Sequence, residues 1–297
     1  MRPTGWVIGV LLGSLCAGAT GLSQQTGNAP RLLLRCDDIG MCHSVNAALA
    51  RVVETGLPIS ASIMFACPWY QEGVEILKRA PHVSAGIHLT LNAEWAHYRW
   101  GPVAGREAVP SLTDSVGMFW PSRALFFEHD PRIEEVELEL RAQIERALGT
   151  GLQIDYLDYH MSTAVSTPEL RALVERLADE YQLGISRYFG EVDVGGLYAS
   201  PSARKLDTLI SVLGTLDTGR INLMVFHIGL DSGEMQALRD LNEFGLAEMS
   251  KHRNAELDGL LSSEFREALR SRGVQLLTYR DLLSSRSAMV RPVPIEE

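Results

Sequence analysis

The sequence predicts an α/β fold, a distorted (β/α) barrel built as a single domain, and three observations carry that prediction. Apolar, strand-like runs alternate with helical patterns along most of the chain, the order expected of βα units around a parallel sheet. The length of 297 residues suits one large core, because parallel barrels use about 200 to 250 residues as one domain. Acidic and imidazole side chains also keep phase with the strands. Asp37 and Asp38 follow the first, His88 ends the third, Asp158 and His160 follow the fourth, and His227 follows the sixth.

The first strand is expected at residues 31–36 (RLLLRC). A helix follows at 45–54, with Ser44 as N-cap and Gly56 just beyond its end. Residues 59–66 read as a second strand, 70–79 as a helix and 83–89 as a third strand. The rhythm then breaks over residues 90–130, which carry Trp95, Tyr98, Trp100, Trp120, Phe126 and Phe127 but no long element. Two readings stay open there: a lid or wall on which sugar rings stack, or a satellite hydrophobic cluster under a long loop. Helical spacing resumes at 133–148, where Val136, Leu140, Ile144 and Leu148 form the core face. A fourth strand at 154–157, a helix at 168–181 capped by Thr167, and strands at 183–186 and 221–226 come next. A helix at 263–272 and a last strand at 274–277 complete the pattern.

Apolar residues make up 46% and charged residues 22% of the chain, the balance of a folded globular protein. The net charge is −10 and no Lys/Arg-rich run occurs, so the electrostatic footprint for gripping nucleic acid is missing. Arg2, an apolar run over residues 6–15 and the small residues Ala17, Gly18 and Ala19 follow the order of a secretory signal peptide. The expected organisation is a signal peptide at 1–19, a leader remnant at 20–29, a catalytic domain at 30–285 and a flexible tail at 286–297. The protein would then be secreted or periplasmic. The apolar run is shorter than the roughly 20 residues a membrane-spanning helix needs, so no stable span is expected after leader removal. Of the four cysteines, Cys16 would leave with the leader, and the remaining Cys36, Cys42 and Cys67 are an odd set without zinc-ribbon spacing, read as buried thiols.

In a parallel barrel the C-terminal ends of the strands open on one face, where active sites are built from βα loops. Asp38, His88 and His160 supply one carboxylate and two imidazoles, a set that holds a divalent metal ion and leaves positions for water and substrate. Zinc suits these ligands well, and magnesium is tolerated. Such an ion lowers the pKa of water and polarises a carbonyl, and Asp37 beside it is placed to act as general base. Each residue has an ordinary structural role when taken alone; the combination in phase with the strands is what points to catalysis.

These motifs resemble the YdjC-like (ChbG-like) carbohydrate deacetylases. Residues 36–40 (CDDIG) are similar to the family's A-D-D-F-G and continue into 44–48 (SVNAA). Residues 86–91 (GIHLTL) resemble G-x-H-x-(N/T)-L, and 137–144 (ELELRAQI) the E-L-x-x-Q-I helix. Residues 158–160 (DYH) resemble D-S-H, 226–229 (FHIG) the late H-P-G, and Arg253, Glu256, Leu257 and 273–279 (GVQLLTY) the closing segment. The resemblance implies a barrel of the glycoside hydrolase/deacetylase type that binds a divalent metal through Asp38, His88 and His160, with Asp37 as base. It also implies His227 as the acid that protonates the departing amine, and a carbohydrate substrate bearing an acetyl group. The sequence departs from the family's H-x-D-S-H-x-H at Tyr156, Tyr159 and Ser162, which touches the residues that orient the ligands and the fit of the substrate. Two alternatives differ in substrate or in chemistry: a deacylase of a lipid headgroup or peptide amide, and a silent secreted glycan-binding protein on the same scaffold.

Overall fold

The computed structural model describes residues 29–285 and 288–292, with Met1 apart. The signal-peptide expectation at 1–19 and the remnant at 20–29 fall almost wholly outside the described residues. No helix among the described residues is long and apolar enough to cross a membrane.

Among the described residues, eight parallel strands form one sheet: β1 (Arg31–Ile39), β2 (Ser60–Ile63), β3 (Ser84–Leu89), β4 (Tyr156–Tyr159), β5 (Gly184–Ile185), β6 (Glu191–Asp193), β7 (Ile221–Phe226) and β8 (Gln275–Leu277). Their order is β5-β4-β3-β2-β1-β7-β6. β1 pairs with β7 along one edge, and on the other with β8 through Arg31–Leu33 and then with β2 from Arg35 onward. Alternation along β1 sorts its side chains between two cores. Leu32, Leu34 and Cys36 join the large cluster under the helices, whereas Leu33 joins a second cluster with Tyr156 of β4, Leu223 of β7 and Tyr279. Strands far apart in the sheet thus share one interior, so the sheet curls into the distorted barrel expected, open between β5 and β6.

Tyr156, a departure from the family pattern, plugs this interior. Its ring lies 4.1 Å from that of Tyr279 and its hydroxyl is 2.8 Å from Ser62 Oγ. Gly86 makes room for it, since a Cβ there would come within 2.4 Å of the ring.

The helices that matter for the site are α1 (His43–Val53), α2 (Tyr70–Lys78), α3 (Arg123–Glu128), α4 (Ile133–Gly149), α5 (Pro168–Tyr181), α6 (Lys205–Val212), α7 (Gly233–Gln236), α8 (Met249–Leu261), α9 (Ser263–Ser271) and α10 (Tyr279–Ser284). Thr167 caps α5 as expected, its side chain accepting from Leu170 N. Ser44 does not cap α1. The capping position is Cys42, without a side-chain bond, and Ser44 instead gives its N–H and hydroxyl to the Glu234 carboxylate. On α4, Val136, Leu140 and Ile144 are buried, but Leu148 is 40% exposed and Ala147 takes its place. Steps of four residues drift about 40° each around a helix, so the face is regained by a step of three.

A second stripe on α4 is polar and buried: Glu135, Glu139 and Gln143, four residues apart. It tethers the long segment after β3. Glu135 accepts from Ser111 N, Glu139 from Val103 N and Ala104 N, and Gln143 exchanges bonds with both backbone groups of Thr90. Trp95, Trp100 and Phe126 of that segment are buried in the main core and Tyr98 and Trp120 pack against it, so the cluster reading holds for most of its aromatics. Among described residues of the tail, Val290 N bonds Tyr188 O and Arg291 pairs with Glu175.

Candidate metal centre

β1 ends in a bulge that makes the site. Its register with β2 slips between Cys36 and Ile39, and Asp38 adopts φ 63°, a left-handed conformation costly for a residue with a Cβ. Neighbours in a regular strand point to opposite faces; the bulge turns both Asp37 and Asp38 toward one cavity. Gly40 completes the turn at φ 86°, where a Cβ would lie 2.8 Å from Tyr70 Cα, and its N–H donates to Asn46 Oδ1.

Asp38, His88 and His160, all buried, converge. Asp38 Oδ1 lies 3.4 Å from His88 Nε2 and 3.4 Å from His160 Nδ1, and among the described residues it has no hydrogen-bond donor. Two ligand atoms each about 2.1 Å from one cation at a tetrahedral angle are about 3.4 Å apart, so the donor set and its spacing fit a divalent ion. The remaining polar atoms face outward onto partners. His88 Nδ1 is 2.9 Å from Asp158 Oδ2, His160 Nε2 is 3.0 Å from Glu94 Oε2, and Asp38 Oδ2 accepts from Arg253 Nη2 at 2.6 Å. These contacts would fix each imidazole's tautomer, with its other nitrogen turned to the centre, once a cation displaces the proton there. A second group, Asp37, His88 and Asp158, is also close, but there the Arg35 guanidinium already supplies the positive charge and His88 offers the nitrogen that Asp158 holds.

The electrostatics follow from burial and these partners. Burial alone would lower the His88 pKa, but Asp158 and Asp37 outweigh it and raise it to about 9. For His160 burial is likewise outweighed, by Glu94 and Asp38, and the value rises to about 10. Burial would raise Asp38, yet Arg253 and the two imidazoles hold it well below the usual carboxylate range.

Asp37 is gripped from its own strand. Arg35, two residues earlier on the inward face, donates Nε and Nη2 to its two oxygens at 2.7 Å each. Arg35 Nη1 also lies 3.1 Å from Asp158 Oδ1, at an angle that makes no hydrogen bond and leaves that oxygen without a donor. One guanidinium therefore spans the proposed base and a partner of a proposed ligand.

His227 comes from the end of β7 and lines the same cavity of about 400 Å³. Its backbone N–H donates to Glu256 Oε2 at 2.7 Å, and its ring meets that of Tyr198 edge-on at 5.6 Å. The other Glu256 oxygen takes the buried Lys205 ammonium at 2.8 Å, and Lys205 also donates to the Leu197 and Tyr198 carbonyls. Arg253 and Glu256, one turn apart on α8, thus hold a proposed ligand and the proposed acid from a single helix.

A family model described as YdjC-like protein matches residues 31–271. The chain belongs to the YdjC-like family. Among curated relatives, the carbohydrate deacetylase of Enterococcus faecalis (strain ATCC 700802 / V583) is 28% identical over 268 residues, covering 85% of this chain and 98% of that protein. The carbohydrate deacetylase of Brevibacillus brevis is 25% identical over 273 residues, covering 85% and 99%. A crystal structure from Enterococcus faecalis V583, named for cellobiose-phosphate cleavage, superposes with a TM-score of 0.71 at 22% identity, covering 86% of this chain and 99% of that one. That likeness establishes the fold.

In this YdjC-like chain all five residues singled out from sequence line the same cavity. The sequence reading missed Arg35, Glu94 and Lys205, and it named Arg253 and Glu256 as part of the closing motif without giving either a role. Arg35 left a signal, a cation two residues before Asp37 inside an otherwise apolar strand. Glu94 left none, because it sits in an irregular segment brought to His160 by long-range contacts, among them the α4 bonds to Thr90 and the backbone bond from Leu241 N to Glu94 O. Of the six aromatics in that segment, Trp95 alone lines the cavity.

Proposed function

We propose that this protein is a metal-dependent carbohydrate deacetylase that hydrolyses the amide of an N-acetylated sugar. The observation that carries the reading is the donorless Asp38 Oδ1 set 3.4 Å from one nitrogen of each of two imidazoles, beside a second, arginine-bound aspartate. The names of the curated relatives support the substrate class.

Asp38, His88 and His160 would hold the ion, zinc or magnesium. Once bound, a divalent cation polarises the acetyl carbonyl and makes water more acidic. Asp37 takes a proton from the attacking water, whose oxygen bonds to the acetyl carbon, while Arg35 keeps the carboxylate aimed. His227 gives a proton to the nitrogen as the C–N bond breaks, since an amide nitrogen leaving as an anion is prohibitively basic. The products are acetate and a free amine.

Acetate release from N-acetylglucosamine oligomers, with and without a chelator, tests the proposal. Turnover that survives complete chelation, or no acetate from any N-acetylated sugar, would overturn it. Export through the leader at residues 1–19 is a separate proposal, checked by sequencing the N-terminus of protein recovered from outside the cytoplasm; an intact Met1 there would exclude cleavage.

A further inference from the structure

We infer that Ser162 is a specificity-determining residue: its hydroxyl, presented by a left-handed turn at Met161 and Ser162 just past the proposed ligand His160, binds a hydroxyl of the substrate sugar. The inference rests on the deacetylase reading and goes beyond it to a residue that grips the substrate.

Among the described residues, seven that are not glycine have a positive φ, a conformation that crowds the Cβ of an L-residue. Three of them, Asp130, Gln182 and Glu248, sit at or just beyond the ends of helices, where the chain changes direction. The other four, Asp38, Met161, Ser162 and Arg187, all line the cavity. Two of these four have partners that account for them. Asp38 is bound to Arg253 in the proposed metal centre, and Arg187 gives its backbone N–H to Glu191 and its guanidinium to Asp193. The consecutive pair at Met161 (φ 50°) and Ser162 (φ 57°) has none: Ser162 Oγ makes no hydrogen bond among the described residues.

What holds the pair is the chain on either side of it. His160 is buried, with Nε2 3.0 Å from Glu94 Oε2, and buried Thr163 donates Oγ1 to Asn92 Oδ1. Asn92 is fixed in turn, its carbonyl accepting from Trp100 Nε1 at 2.8 Å and its Nδ2 donating to Trp120 O at 3.3 Å. With both flanks pinned, the two residues between them turn in the left-handed region and leave Met161 half-buried and Ser162 exposed. A plain reversal of the chain would use Gly or Asn, which accept this conformation readily. Backbone strain that its surroundings hold in place clusters where ligands are clamped, and here it brings a side chain to the cavity two residues past a proposed metal ligand. The Ser162 hydroxyl has a donor and acceptor sites free, and a sugar hydroxyl matches both without adding charge. A site built to bond a substrate hydroxyl also rejects the analogue that lacks it.

The test measures acetate release by the metal-loaded full chain from the β1,4-linked N-acetylglucosamine dimer and from analogues that each lack one hydroxyl. Melting temperatures are read on the same samples, and calorimetry follows dimer binding to the Asp37→Asn variant with and without Ser162→Ala. Ser162→Ala should raise KM roughly three- to tenfold and leave kcat nearly unchanged, the signature of one neutral hydrogen bond made equally to substrate and transition state. On one of the analogues, Ser162→Ala and the unaltered chain should have the same kcat/KM, because the partner hydroxyl is already gone. Ser162→Gly should raise KM to the same extent and melt a few degrees above Ser162→Ala, since glycine relieves the left-handed turn. Acetate release in which Ser162→Ala leaves KM unchanged, or loses equally on every analogue, overturns the inference while the deacetylase reading stands. A glycine variant no more stable than the alanine variant removes the strained turn, and the inference with it. Dimer binding that weakens with Ser162→Ala, without acetate from any sugar, removes the deacetylase reading and keeps the contact; neither binding nor release removes both.

Discussion

On the side of the barrel formed by β1, β3 and β4, Asp38, His88 and His160 are each held through a second polar atom, by Arg253, Asp158 and Glu94. On the β7 side, His227 is anchored through its backbone N–H, and its ring packs on Tyr198 while half-buried. The difference matches what each half is asked to do. The ligands proposed here would have to stay within about 0.5 Å of one geometry to share a cation, which agrees with their buried outward tethers. The proton donor proposed at His227 would have to meet a substrate nitrogen and recover its proton from solvent, which agrees with a side chain fixed only at its origin.

Asp37 belongs with the tethered half, and altering it should produce the largest loss. Asp37→Asn keeps the shape and the acceptor oxygen facing Arg35 but removes the base, and kcat should fall by roughly 10² to 10⁴. Metal content measured on the same sample should stay unchanged. A variant that loses its metal along with its activity would move Asp37 from the base to the ligand set.

For His227→Gln the comparison predicts a loss that depends on the leaving group. With an N-acetyl sugar the drop should again approach 10² to 10⁴. With an activated aryl acetate, whose departing phenolate needs no proton, it should nearly vanish. Equal losses on both substrates would mean that His227 is not the acid.

The tethers themselves predict a smaller effect. Asp158→Asn and Glu94→Gln should each weaken divalent metal binding roughly 10- to 100-fold, read by calorimetry. The pH dependence sharpens this. With the metal absent, His88 at about 9 and His160 at about 10 are both protonated at neutral pH. Metal binding near pH 7 should therefore expel close to two protons and tighten as pH rises, until it levels above those values. The same raised values mean that the charged imidazoles stabilise the metal-free fold fully below about pH 6.5. That contribution is lost as pH climbs through about 9 to 10. Melting temperatures of metal-free and metal-loaded protein should diverge over that window. A proton count near zero from buffers of different ionisation enthalpy would remove this account of the ligands.

How legible each half was in the sequence follows from the same physics. Asp37, Asp38 and His88 stand at the ends of apolar runs, so strand periodicity and barrel topology already imply one rim. The bulge that turns Asp38 inward left no such mark, nor did the extension of β1 to Ile39. α8 went unseen because the side it buries carries Ser250, Arg253 and Glu256 among its apolar residues, so no amphipathic stripe announces it. A helix whose buried face is chemical does not follow the binary pattern from which helices are read. The two-residue β5 and three-residue β6 are too short to carry a period; an approximate β5 came from its position alone, and β6 was missed.

The smallest change in turnover is expected at Glu256, where the two halves meet on α8. Glu256→Gln preserves an acceptor for the His227 N–H, so kcat should move only a few-fold, whereas Glu256→Leu should lose far more by releasing the His227 backbone. Stability should respond in a different order. Lys205 and Glu256 are a buried pair, 1% and 3% exposed, and removing one partner of such a pair costs about 3 to 5 kcal/mol because the other charge is left uncompensated. Lys205→Met should therefore lower the melting temperature markedly, and the Lys205→Met/Glu256→Gln double variant should recover part of the loss. If Glu256→Gln instead abolished turnover while leaving stability intact, Glu256 would act on the chemistry directly, and the β7 half would hold a second titrating group in place of a passive anchor.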